Sequence, residues 1–94
     1  MAQTAEGLHV IVHGRVQGVN FRYYTRMEAQ ALNLAGWVAN RADGTVEVTA
    51  EGPRAALEDL LAYLHHGPSH AGVTRVEAEW RRATGRFSDF RIMA

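Results

Sequence analysis

The chain has 94 residues, 47% of them apolar and 21% charged, which allows one domain with one hydrophobic core. Ten basic and ten acidic side chains cancel, and that balance argues against a general nucleic-acid binder. Cysteine is absent, excluding disulfides, thiolate metal sites and cysteine nucleophiles; lysine is absent too, excluding Schiff-base chemistry.

No apolar run approaches a membrane span, and residues 1–7 lack the basic-then-apolar pattern of a secretion signal. A soluble, cytoplasmic, monomeric protein is the expectation. Residues 1–7 read as a flexible lead-in to a single domain spanning residues 1–94.

Residues 8–13 alternate as a strand, with Leu8, Val10 and Val12 on one face and His9, Ile11 and His13 on the other. The stretch Gly14-Arg15-Val16-Gln17-Gly18-Val19-Asn20-Phe21-Arg22 follows it. Its two glycines permit a tight turn that brings backbone N–H groups close to a ligand. A helix opens after it, over residues 21–34, with Tyr24, Met27, Ala31 and Leu34 as the expected core stripe, broadened by Ala29 and Leu32, and Gly36 as the stop. The first N–H groups of a helix lack partners, and its dipole favours negative charge there. Strand, glycine turn and helix start together make a candidate anion site, or simply a connection. Arg22 falls in the first helical turn, where a guanidinium suits phosphate oxygens. The glycine spacing matches neither a Walker loop nor a dinucleotide fingerprint.

Residues 37–40 form a short strand, Asp43-Gly44 marks a turn, and residues 45–51 form the next strand. Val46, Val48 and Ala50 share one face of it; Thr45, Glu47, Thr49 and Glu51 share the other. Gly52-Pro53 opens a second helix, with Pro53 expected at its first helical position. Leu57, Leu60, Leu61 and Leu64 form its apolar stripe; His65 and His66 occupy its last turn; Gly67-Pro68 stops it. Residues 71–82 read as a long strand, Thr84-Gly85 as a turn, and Phe87, Phe90 and Ile92 as a final short extended segment. The order β-α-β-β-α-β plus a terminal strand predicts an α+β, ferredoxin-like sandwich: an antiparallel sheet with both helices on one face.

Few residues carry chemistry. Five histidines are present, but none has metal-ligand spacing: His65 and His66 point to different helix faces, and His70 lies beyond the Gly-Pro break. The carboxylate pairs Glu58-Asp59 and Glu77/Glu79 read as solvated faces. Ser69 and Ser88 lack a nucleophile elbow. The glycine turn, Arg22 and Asn40 remain, although an asparagine at Asn40, before a hairpin, is also an ordinary turn residue.

Two motifs carry a resemblance. The run from Val12 through Gly14, Gly18 and Phe21 to Arg22 resembles the first signature of the acylphosphatase family. Gly36-Trp37-Val38-Ala39-Asn40, followed by Gly44, Val46 and Gly52, resembles its second. The resemblance extends over residues 8–92, and Asn20 falls where the family varies. It implies hydrolysis of acyl phosphates to a carboxylate and inorganic phosphate, with no metal or cofactor. It also implies that the backbone amides of Arg15, Val16, Gln17, Gly18, Val19 and Asn20 bind the phosphoryl group. Arg22 matches the family's catalytic arginine, and Asn40 its water-orienting asparagine.

Three other readings stand beside it. One is an RNA-binding module, for which the sheet lacks exposed aromatics on its central strands. Another is a non-catalytic or relay domain that binds carbamoyl phosphate or another phosphorylated ligand for a partner enzyme. The last is a ligand-sensing regulatory domain.

Overall fold

The computed structural model describes residues 4–93. They form five strands and two helices: β1 (Glu6–Arg15), α1 (Phe21–Ala31), β2 (Ala35–Asn40), β3 (Val46–Gly52), α2 (Arg54–His66), β4 (Gly72–Arg82) and β5 (Phe90–Met93). The sheet order is β4-β1-β3-β2-β5. The β1–β3, β1–β4 and β2–β3 pairs are antiparallel, as expected, whereas β5 joins β2 in parallel and makes the sheet mixed.

The alternation in β1 and β3 has a direct structural consequence. Leu8, Val10 and Val12 face the helices with Val46, Val48 and Ala50, and Val10, Val48 and Val38 align across three strands. From α2, Leu57, Leu60 and Leu64 close over them, all fully buried, with Leu61 at the margin. The other face of the sheet carries polar pairs, among them His9 with Glu47 at 2.7 Å. Helix α2 lies over β4, β1 and β3, and α1 over β2 and β5.

Four expectations are corrected. The flexible lead-in of residues 1–7 does not reach Gly7: β1 begins at Glu6, paired with Gly52 and Arg82, while residues 1–3 lie outside the described residues. The buried face of α1 is Phe21, Thr25 and Ala29; of the expected residues Ala29 and Leu34 are buried, whereas Ala31 is exposed and Tyr24 and Met27 are 43% and 47% exposed. The helix ends at Ala31, not Leu34. Asn33, with φ 57°, adopts the left-handed conformation, the Leu34 N–H donates to the Ala29 carbonyl and the Asn33 N–H to the Gln30 carbonyl. That pattern is a Schellman stop with asparagine in glycine's usual place, so Gly36 lies inside β2. Finally, Pro53 is the extended N-cap of α2, with φ −61° and ψ 143°, and the helix itself starts at Arg54.

Candidate active site

Topology brings the candidate residues together. Strands β1 and β2 both run antiparallel to β3, so they run parallel to each other and end on the same side of the sheet. The carboxyl end of β1 leads into residues 16–20, and the carboxyl end of β2 is Asn40. Because β5 is parallel to β2, its last residues reach the same side. Ligand sites in open α/β sheets favour such ends.

The turn is shaped by its glycines. Gly14 has φ 120° beside a register shift between β1 and β4, and a Cβ there would stand 2.1 Å from the Gly72 carbonyl oxygen. Gly18 has φ 76° and faces open space. Asn20 is left-handed as well, at φ 61°, a region that asparagine tolerates. Its carbonyl accepts the first helical bond, from the Tyr24 N–H at 3.1 Å. The amides of Phe21, Arg22 and Tyr23 therefore precede the intrahelical ladder, at the positive end of α1. No acidic residue stands in that first turn.

Val16, Gly18, Asn20, Arg22 and Asn40 line one cavity of about 230 Å³, which Phe21, Tyr23 and Ile92 complete. Arg22 is half-buried. Its Nη1 donates to the Met93 carbonyl at 3.4 Å, a long contact and the only hydrogen bond of the guanidinium among the described residues. Across the cavity, Asn40 Oδ1 is buried and has no hydrogen-bond partner among the described residues. An acceptor in that condition is costly unless a ligand or water meets it.

The other expected residues do not line this cavity with their side chains. Arg15 ends β1 opposite Gly72 and is exposed. Val19 packs against the core margin. Gln17 turns away from the cavity, and its Nε2 donates to the carbonyls of Arg41 and Thr45 at 2.8 and 2.9 Å. It thereby ties the turn to the β2–β3 hairpin. Asp43 caps that hairpin by accepting from the Thr45 N–H and hydroxyl. The Thr45 hydroxyl, then its amide, hold the Asp43 carboxyl below its ordinary value. Sequence reasoning misses Ile92 and the Met93 carbonyl, because their arrival depends on the parallel β2–β5 pairing, which leaves no local signal.

Fold and site together define a class: an α+β sandwich in which a glycine turn, a helix start, an arginine and an asparagine converge at the carboxyl ends of the strands. Comparison with known proteins makes it particular. The family model for acylphosphatase matches residues 8–92. The acylphosphatase of Pelotomaculum thermopropionicum is 50% identical over 84 residues, spanning 89% of this chain and 91% of the relative. That of Burkholderia cenocepacia is 53% identical over 85 residues, spanning 90% and 87%. The crystal structure of acylphosphatase from Bacillus subtilis superposes with a TM-score of 0.91 at 42% identity, covering 95% of this chain and 99% of that one. The chain belongs to the acylphosphatase family. Its activity is the hydrolysis of acyl phosphates to a carboxylate and inorganic phosphate. Among the described residues, no helix is long and apolar enough to cross a membrane.

Proposed function

We propose that the amides of residues 15–20 and the Arg22 guanidinium hold the phosphoryl group, and that Asn40 orients the attacking water. The observation that carries this reading is the buried Asn40 Oδ1, without a hydrogen-bond partner among the described residues and lining the same cavity as Arg22 and the start of α1.

An acyl phosphate is a mixed anhydride. Its leaving group is a carboxylate whose conjugate acid has a pKa of about 4, so it departs without a general acid. Phosphoryl transfer then asks mainly for positioning and for stabilisation of charge on the equatorial oxygens. Fixed donors aimed at those oxygens supply it: backbone amides from the turn, and the planar fork of Arg22. Asn40 Oδ1 accepts a hydrogen bond from the water and directs its lone pair at phosphorus. The water oxygen–phosphorus bond forms as the phosphorus–acyl oxygen bond breaks. The bonding pair leaves with the carboxylate, and the water's proton passes to a phosphate oxygen. Arg22 and the amides carry the charge-stabilising part of the step, without a metal or cofactor.

Hydrolysis in ¹⁸O-labelled water tests the attack site. Label in inorganic phosphate, with none in the carboxylate, supports attack at phosphorus. Label in the carboxylate removes the proposed role of Asn40.

The proposal extends to a monomeric, cytoplasmic enzyme acting without nucleic acid. Support for the monomer comes from the charge on the long edge strand β4, where Arg75, Glu77, Glu79 and Arg81 discourage edge-to-edge pairing. Light scattering at micromolar concentration tests the monomer.

A further inference from the structure

The crossover from β4 to β5, residues 83–89, passes the end of the sheet remote from Asn40. Glu51 accepts from the Thr84 and Gly85 amides at one end of it, and the Gly36 N–H donates to the Asp89 carbonyl at 2.8 Å at the other. Beside it a cavity of about 320 Å³ opens, with Trp37, Arg86, Phe87, Asp89, Arg91 and Met93 among its walls. It shares no residue with the cavity of Arg22 and Asn40. We infer that this cavity binds a small planar aromatic carboxylate, as a site separate from the catalytic one. The inference does not depend on the phosphate-cradle reading above.

The aromatic half follows from Trp37. It alternates with the fully buried Val38, so its indole lies on the open face of the sheet, opposite Thr49 on β3 and Arg91 on β5. Neither Trp37 nor Phe87 belongs to the core or packs at its margin, in contrast to Trp80. A second cavity, of about 260 Å³, also has both rings in its walls. The two half-buried rings therefore border open space on either side. A flat ring laid on the indole gains an offset-stacked contact that an aliphatic group does not offer. The second signature run contains Trp37, yet the catalytic reading gives it no task.

The anionic half follows from the charges. Arg91 gives its Nε to both Asp89 carboxylate oxygens, at 2.9 and 3.2 Å, so that pair is close to neutral. Arg86 is exposed and makes no ion pair among the described residues. Glu51 feels its charge but is already taken up by the Thr84 and Gly85 bonds. The cavity thus carries one uncompensated positive charge, which complements a monoanion better than a phosphate dianion. A carboxylate accepts both arms of a guanidinium. The ties at Glu51 and Gly36 hold the loop in place beforehand, which keeps the ordering cost of binding small.

The test follows the indole N–H signals of Trp37 and Trp80 in ¹⁵N-labelled protein. Trp80 lies with Leu8 on the helix side of the sheet, under the Arg54 guanidinium at 3.6 Å, and serves as the internal reference. Naphthoate is titrated with inorganic phosphate present to occupy the proposed cradle. A saturable shift of the Trp37 signal with Trp80 unmoved is expected. Arg86→Gln should weaken that binding about tenfold and leave acetyl phosphate hydrolysis unchanged. Naphthamide, the same ring without charge, and acetate, the charge without a ring, should move Trp37 little at the same concentration. Equal shifts of both indoles, a response to naphthamide as strong as to naphthoate, or unaltered binding in Arg86→Gln overturns the inference.

Discussion

The side chain of Gln17 donates to the carbonyl of Thr45 at 2.9 Å, so the glycine turn is bolted to the hairpin that follows Asn40. A second bond from the same Nε2, to the Arg41 carbonyl at 2.8 Å, makes the tie two-pronged. The proposed phosphate-binding turn and the proposed water-positioning Asn40 are thereby tied together. Gln17→Ala is expected to lower stability by about 1–2 kcal/mol, read as a fall in the urea midpoint. It should also lower kcat, because the turn and Asn40 lose their fixed spacing. Unchanged kinetics in a destabilised variant would make the tie purely structural.

Arg22→Ala is expected to cost at least a hundredfold in kcat/KM, about 3 kcal/mol, with inhibition by phosphate lost as well. Arg22→Lys should fail badly too, since a compact ammonium cannot make the planar fork. Circular dichroism should show both variants folded.

Asn40→Ala separates turnover from affinity. Among the described residues its side-chain oxygen has no hydrogen-bond partner, so truncation should not destabilise the fold. The rate should fall about a hundredfold with phosphate inhibition nearly unchanged. Equal losses of rate and phosphate affinity would contradict a water-positioning role.

Gly14 and Gly18 should answer differently to alanine. At Gly14 the new Cβ meets the Gly72 carbonyl at 2.1 Å, so the β1–β4 pairing must shift, at roughly 3 kcal/mol or more. At Gly18 the space is open and only the left-handed backbone resists, at about 1 kcal/mol. Thermal or urea unfolding of the two variants measures the contrast.

Glu51 gives a pH signature. It accepts from the Thr84 N–H and hydroxyl and the Gly85 N–H, at 2.8, 2.9 and 3.0 Å, and so holds the turn after β4. Partial burial opposes its ionisation, but these bonds, with the Arg86 charge, outweigh it and lower its pKa below the ordinary 4.5. A lowered carboxylate stabilises above the unfolded value, and the contribution is lost as pH falls through the folded one. Glu51→Gln should therefore be less stable than wild type near pH 7, and the two should converge in acid once the pH falls below the lowered folded value. A gap that persists in acid would mean that the loss comes from packing.

Much of the fold is legible in the amino-acid sequence alone. The alternation of Val10, Val12, Val46 and Val48 reports the sheet face directly, because a strand's period of two sorts side chains without help from the rest of the fold. The Asp43-Gly44 hairpin is equally local. Helix α1 is different. Tyr24 and Met27 look like core by spacing, yet both are exposed, and Thr25 is buried beside Phe21 and Ala29. Arg22 and Asn40, which their motifs single out, line one cavity. The reach of Gln17 to residues 24 and 28 positions away, and the arrival of Ile92 and Met93, depend on tertiary pairing that no local pattern encodes.

The most direct test of the account is benzoyl phosphate hydrolysis by the purified protein in excess chelator, beside Arg22→Ala. Full turnover by the wild type with near-complete loss in the variant is the predicted result. Wild-type activity that disappears with chelator, or an Arg22→Ala variant that still turns over, would contradict a phosphate cradle built from backbone amides and one arginine.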